Sequence, residues 1–229
     1  KQIFIASLIA NTLQYSVTYT GLNLIDASAA VLLVQTEVPF GVIFAYFMLK
    51  EKPTIRSLIG ITIAFVGVYI LTGSPNLEGK FLGIFLTILG SAIWALGQVL
   101  VKPLSKEIAP LTLVAWLAIF SGPILIFLSA ILDGNTINYI KSANFNSWAI
   151  AFYLGFFMQP VTYGCFYYVL KNNPLYKVLP IVTMGIPLTG LLAAILLLGE
   201  KPTTELYLGG FIILIGVILI VYTKQKKNN

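Results

Sequence analysis

Glu37 is the residue whose position most invites chemistry. Of the eight acidic residues, seven fall in loops or at the ends of apolar stretches, and Glu37 alone lies near the centre of one, in Gln35-Thr36-Glu37-Val38-Pro39. A charged carboxylate at the middle of a bilayer costs about 2.5 to 3.5 kcal/mol on insertion scales, so Glu37 is expected to face protein or a water-filled cavity. It would either exchange a proton or meet a cationic substrate group, or else stand as a neutral acid bonded to a neighbouring helix. Two polar series accompany it. Asn11, Tyr15 and Tyr19 are spaced by four, as are Gln159, Tyr163 and Tyr167, so each series shares one helix face. Aromatic faces take apolar or cationic groups while amides and hydroxyls fix orientation, which suits a small-molecule cavity. The same tyrosines would also serve to satisfy one another between helices or to sit at headgroup level. Trp94 and Gln98 are likewise four apart; Gln98 is the better polar contact, and Trp94 is a packing anchor or a wall of the site. Pro39 and Pro187 each remove a backbone donor in mid-helix and free a carbonyl, offering polar backbone to a ligand or simply shaping a kink.

This inventory binds rather than cleaves. With no His in the chain, His-ligated zinc chemistry and a Ser/His pair are excluded. Asp26 and Asp133 lie at span edges, which does not support an aspartyl dyad, and no Lys falls in mid-span. The sequence therefore calls for no enzyme activity, no metal and no cofactor. The lone Cys165 can form no intrachain disulfide and is expected to be a small buried hydrophobe.

The elements that must position these residues follow from composition. A chain of 229 residues with 58% hydrophobic and 10% charged residues, and a mean hydropathy of +0.92, belongs in a bilayer. Spanning the hydrocarbon as a helix takes about 20 apolar residues. Eight such stretches are predicted, at 3–25, 27–49, 57–73, 81–101, 111–132, 147–170, 176–199 and 206–223. Runs such as LLAAILLL (191–198) do not alternate in polarity, so the fold class is all-α and not a β-barrel. The net charge of +6 is not a nucleic-acid signature, because the basic residues segregate along the chain. Alternating sides from the C-terminus puts eleven on one face and only Lys80, Lys141 and Lys201 on the other, so both ends of the chain are expected to be cytoplasmic. The basic tail, 224–229, then anchors to lipid headgroups.

A repeat organises the spans. Glu51-Lys52-Pro53-Thr54 returns as Glu200-Lys201-Pro202-Thr203, and the spacing of 149 continues through Gly60 and Gly209, Gly67 and Gly216. Upstream of Pro39 the spacing becomes 148, matching Tyr15 to Tyr163, Tyr19 to Tyr167 and Pro39 to Pro187. Five crossings separate the two motifs, which places Glu51 inside and Glu200 outside; the halves are inverted, as in many alternating-access carriers. The motifs themselves are either structural caps, with Pro53 in the first turn of the next helix, or a gate ion pair. Glycines recurring every seven residues, at 83, 90 and 97 and in the two pairs above, predict close helix contacts.

The segment GKFLGIFLTILGSAIWALGQVLVKPL (79–104), the proline-bearing spans ending in KEKPT and GEKPT, and the glycine-spaced final span together resemble the drug/metabolite transporter superfamily, EamA family, over essentially the whole chain. Trp94 and Gln98 are similar to the tryptophan-containing stretch of that family's sixth helix. The resemblance implies ten helices in two inverted five-helix repeats that carry small metabolites, often amino acids or drugs, commonly outward across a bacterial inner membrane. Residues 1–73 would be the last three helices of the first repeat and 79–223 the complete second one. The first two helices are then expected to precede Lys1, the rival being a natural eight-helix variant. The expectation is a secondary transporter that works by alternating access around one cavity near Glu37, Pro39, Gln98 and Pro187. It would take a small-molecule substrate, sit among lipids and allow proton coupling. A channel, or a non-transporting membrane scaffold, is the alternative.

Overall fold

In a computed structural model of the chain, which describes residues 1–132, 134, 136–183 and 185–221, helix is the only regular structure among the described residues. The tail beyond 221, Asp133 and the side chains of Pro180 and Val182 lie outside them. Helix α1 (2–22) runs through Gln2–Ser7, a widened π-helical stretch at Leu8–Leu13, and Gln14–Leu22. Then come α2 (Ala27–Leu49), α3 (Ile55–Thr72), α4 (Phe81–Glu107) and α5 (Pro110–Leu132). The short α6 (Thr136–Ser142) leads into α7 (Phe145–Asn172), which also contains a π-helical stretch, Tyr153–Met158. Helices α8 (Leu175–Thr183), α9 (Gly185–Leu198) and α10 (Thr204–Val221) complete the chain.

Helices α2, α3, α4 and α7, and the Pro110–Ile131 stretch of α5, are long and apolar enough to cross a membrane; α9 and the stretch Thr204–Ile220 are shorter apolar helices. Their outer faces carry large hydrophobic side chains, with Tyr69, Phe81, Phe145 and Leu197 about four-fifths exposed. A water-soluble protein would cover such side chains; their exposure suits the apolar interior of a bilayer. Cys165 is on this exposed surface of α7, contrary to the expected burial.

Inside, two apolar clusters form. One gathers Leu33, Val38, Leu71, Ile213 and Val217 from α2, α3 and α10. The other gathers Ala10, Val99, Leu113, Tyr167 and Leu179 from α1, α4, α5, α7 and α8. Without a hydrophobic force between helices in lipid, close backbone approach supplies much of the attraction. Helices α3 and α10 cross antiparallel through their glycines: a Cβ at Gly60 would stand 2.6 Å from the Gly216 carbonyl, and one at Gly67 2.7 Å from the Gly209 carbonyl. Helix α4 lays its glycine face on α1 in the same way, with Gly97 against Ala10 and Gly90 against Thr18.

The two EKPT turns fold alike. Lys50 and Gly199, 149 apart, both adopt left-handed backbone, with φ of 56° and 68°. The following glutamate N–H donates back to Ala45 in one case, at 3.2 Å, and to Ala194 in the other, at 3.1 Å. Each threonine hydroxyl then accepts from the N–H three residues on, Ser57 at 3.3 Å and Leu206 at 3.4 Å, capping the next helix. Pro53 precedes that cap, so it lies outside the first helical turn where it was expected.

Candidate functional site

The polar series of α1 and α7 meet. Gln159 Nε2 donates to the Tyr15 hydroxyl, a contact between residues 144 apart in sequence. Tyr163 accepts from Trp94 Nε1 of α4 at 3.4 Å, and its ring lies 5.7 Å from that of Tyr167. Tyr15 and Tyr19 pack at 5.7 Å along α1. Asn11 turns aside to donate to Ser121 Oγ of α5 at 3.3 Å. The helical period brings each series to one face, and the π-helical stretches set the angle of that face. Such stretches recur at functional sites because they widen a helix locally and re-aim its side chains. One contains Asn11 and the other ends one residue before Gln159. In α7 the cause is partly visible, since Pro160 has no N–H with which to continue the ordinary ladder.

Two hollows flank this meeting point. A cavity of about 30 Å³ is lined by Asn11, Gln159, Tyr163 and Tyr167 with α5 side chains, roughly the room for a single water. A larger hollow of about 350 Å³ is lined by Tyr15, Ser16, Tyr19, Thr20, Asn23 and Ser129, together with two leucines. Its walls hold hydroxyls, an amide and aromatic rings but no charged group, so they suit a ligand that offers hydrogen-bonding edges on an otherwise uncharged body.

Glu37 lies elsewhere. It is 5% exposed and immediately follows a tightened 3₁₀ segment, Val34–Thr36. Its Oε1 has no hydrogen-bond partner, nor have both side-chain polar atoms of Gln35 and the Oε1 of Gln98. Orphaned polar atoms in an apolar bundle are costly, so these are the atoms at which a proton, a water or a substrate group would gain most. Pro39 is buried in the same helix. Pro187 lines a separate apolar hollow of about 480 Å³ with Leu32, Leu191, Tyr207 and Phe211. The expected single cavity around Glu37, Pro39, Gln98 and Pro187 is thus divided: tyrosines and Gln159 border the polar hollows, Glu37 and Gln98 are packed away from every hollow described, and Pro187 faces apolar walls.

Sequence reasoning missed the charged contacts between distant elements. Lys102, just past the predicted span 81–101, is 7% exposed and pairs with Glu51. Glu200 accepts from the backbone of Ala27 and Ser28, 2.9 Å each. Lys80 pairs with Asp26 at 2.9 Å. The doubled EKPT motif was the signal; what it lacked was the identity of each partner.

The comparisons with known proteins point to one family. The model of the EamA-like transporter family matches residues 1–73 and 81–222. An "Uncharacterized transporter" of Clostridium kluyveri is 28% identical over 233 residues, covering 99% of this chain and 72% of that protein. A "Probable amino-acid metabolite efflux pump" of Escherichia coli is 29% identical over 220 residues, 91% of this chain and 72% of its own length. A protein of Salmonella typhimurium with the same name is 28% identical over 206 residues, 86% of this chain and 68% of that protein. With nearly its whole length matched and its apolar helices arranged as above, the chain belongs to the EamA-like transporter family.

Proposed function

We propose that the chain moves a small metabolite across a bacterial inner membrane by alternating access, as eight spanning helices in two inverted halves. The glycine crossing supports the inversion: shifting by 149 turns the pair Gly60 and Gly216 into the pair Gly209 and Gly67, as a two-fold axis in the membrane plane requires. The matched caps at Lys50 and Gly199 support it too. The charge bias favours cytoplasmic ends, with the tail 224–229 on anionic headgroups.

The observation that carries the transport reading is the hydrogen bond between Gln159 and Tyr15, where corresponding helices of the two halves meet beside a polar, uncharged hollow. Rocking of the halves would make and break that contact while the hollow faces one side and then the other. An amino-acid metabolite and outward movement are proposed because two relatives bear the name of amino-acid metabolite efflux pumps. Glu37 is the proposed site of proton coupling, being a buried acid with an unpartnered oxygen.

Counterflow in proteoliposomes containing the full chain tests this. Saturable exchange of an amino-acid metabolite is expected, slowed roughly tenfold by Tyr15→Phe or Gln159→Leu, the effect of losing one hydrogen bond made differently in the ground and transition states. Absence of saturable exchange across a panel of amino acids and their derivatives would overturn the reading, and ion currents far above carrier turnover would replace it with a channel.

A further inference from the structure

The two glutamates of the repeated motif do not serve their own helices; Thr54 and Thr203 do that. Each glutamate reaches into the opposite half. Glu200 Oε1 accepts from Ala27 N and its Oε2 from Ser28 N, both at 2.9 Å, so it closes over the start of α2. Glu51 Oε1 accepts from Leu175 N at 3.4 Å, at the start of α8. Residues 27 and 175 are 148 apart, the register that relates the two halves upstream of the prolines, while 51 and 200 are 149 apart. The two contacts are therefore one contact made twice, from the motif turn of one half to the first N–H groups of the counterpart helix in the other. A carboxylate at such a helix start meets both unpaired N–H groups and the positive end of the helix dipole.

Helix α4 supplies a cation at each of its ends. Lys102 pairs with Glu51. Lys80, paired with Asp26, lies close enough to Glu200 to favour its charge. Lys80 and Lys102 are 22 residues apart, which is about 33 Å along a helix and comparable to the hydrocarbon thickness. One rigid helix thus braces a closure at either face of the bundle. The closures are not equally complete: both oxygens of Glu200 are bonded, whereas Glu51 Oε2 is buried without a partner.

We infer that Glu51 and Glu200 are positioning residues for transport: each latches one face of the protein shut by tying its own half to the helix start of the other, and the cycle releases them in turn. The inference rests on the alternating-access reading above. Each carboxylate holds charge-assisted hydrogen bonds that must break for the halves to part. Removing the charge should therefore open that face alone.

The test uses the full chain in right-side-out and in inside-out vesicles, with Cys165→Ala as background and single probes Ala30→Cys and Val178→Cys, each read in the orientation that exposes its face. These positions are buried, at 4% and 2% exposure, one turn into α2 and α8 beyond the two latches. Glu200→Gln is expected to raise labelling of Ala30→Cys by an impermeant maleimide roughly tenfold and leave Val178→Cys unchanged; Glu51→Gln is expected to do the reverse. Should a Gln variant fail to accumulate, Glu51→Asp or Glu200→Asp serves, since one methylene fewer withdraws the carboxylate from the helix start. Labelling that rises at both probes in each variant, or at neither, overturns the latch. Flux separates this from the transport reading: face-specific labelling in a protein without counterflow keeps the latch and removes the carrier. Counterflow with labelling unmoved removes the latch alone.

Discussion

Replacing Gly67 by Ala puts one methyl group where the structure has no room for it. A Cβ at that position would lie 2.6 Å from Ile213 N and 2.7 Å from the Gly209 carbonyl oxygen. Both are backbone atoms of α10, which cannot rotate aside as a side chain can, so α3 and α10 must separate along their whole crossing. Overpacking of this kind costs roughly 1–3 kcal/mol, and rigid neighbours put it in the upper part of that range. Against this, Ala is a better helix former than Gly by about 1 kcal/mol. The net loss is about 1–2 kcal/mol, which for a chain of this size lowers the Tm by roughly 2–8 °C. Gly155→Ala is the control, because nothing lies within 4 Å of its Cβ position. The propensity gain operates there without any overpacking, so its Tm should rise by about 2–4 °C. Thermal unfolding of the two variants in one detergent measures both. Equal shifts of the same sign would mean that α3 and α10 do not approach through their glycines, and the pairing that supports the inverted halves would go with them.

Three further outcomes are expected. Lys50→Gly should stabilise by about 1 kcal/mol, since a left-handed conformation burdens any residue with a Cβ, and Gly199→Ala should destabilise by a similar amount; the measurement is thermal unfolding. Burial opposes the charge on Glu200, but hydrogen bonds from Ser28 and Ala27 and the nearby Lys80 outweigh it and hold the carboxyl below its ordinary value of 4.5. A depressed carboxyl contributes its stabilisation above that ordinary value and loses it as pH falls through the folded value, so Ala30→Cys labelling relative to the same probe in Glu200→Gln at the same pH should climb toward equality below pH 4.5. Glu37→Gln should abolish the pH dependence of counterflow while leaving the fold intact, and unchanged flux with unchanged pH dependence would remove Glu37 from the coupling role.

Much of this molecule was legible before its structure was known, and the parts that were not share a cause. Period and spacing state which side chains share a face, so the Tyr15 and Tyr163 series and the glycine faces could be read directly. They do not state what a face meets. That Gln159 finds Tyr15, while Asn11 turns to Ser121, depends on how α1 and α7 are rotated, and the π-helical stretches that set this rotation have no sequence signature in α1. Helix ends were displaced for a similar reason. The span 81–101 was read as ending at the charge of Lys102, yet α4 continues to Glu107 with Lys102 buried against Glu51. A charge marks a boundary only when no opposite charge from another element is waiting for it. Glu51 and Glu200 show the same limit, since the motif was read as a cap or a gate ion pair without naming the element it would meet.

The most direct test of the account is the sidedness of the two motif turns. Lys52 and Lys201 are exposed at corresponding places in the two EKPT turns, so Lys52→Cys and Lys201→Cys on the Cys165→Ala background can be labelled in intact cells with an impermeant maleimide. Inverted halves predict that Lys201→Cys reacts from outside and that Lys52→Cys reacts only after the membrane is opened. Reaction of both from the same side would contradict the inversion, and with it the shared pathway between the halves.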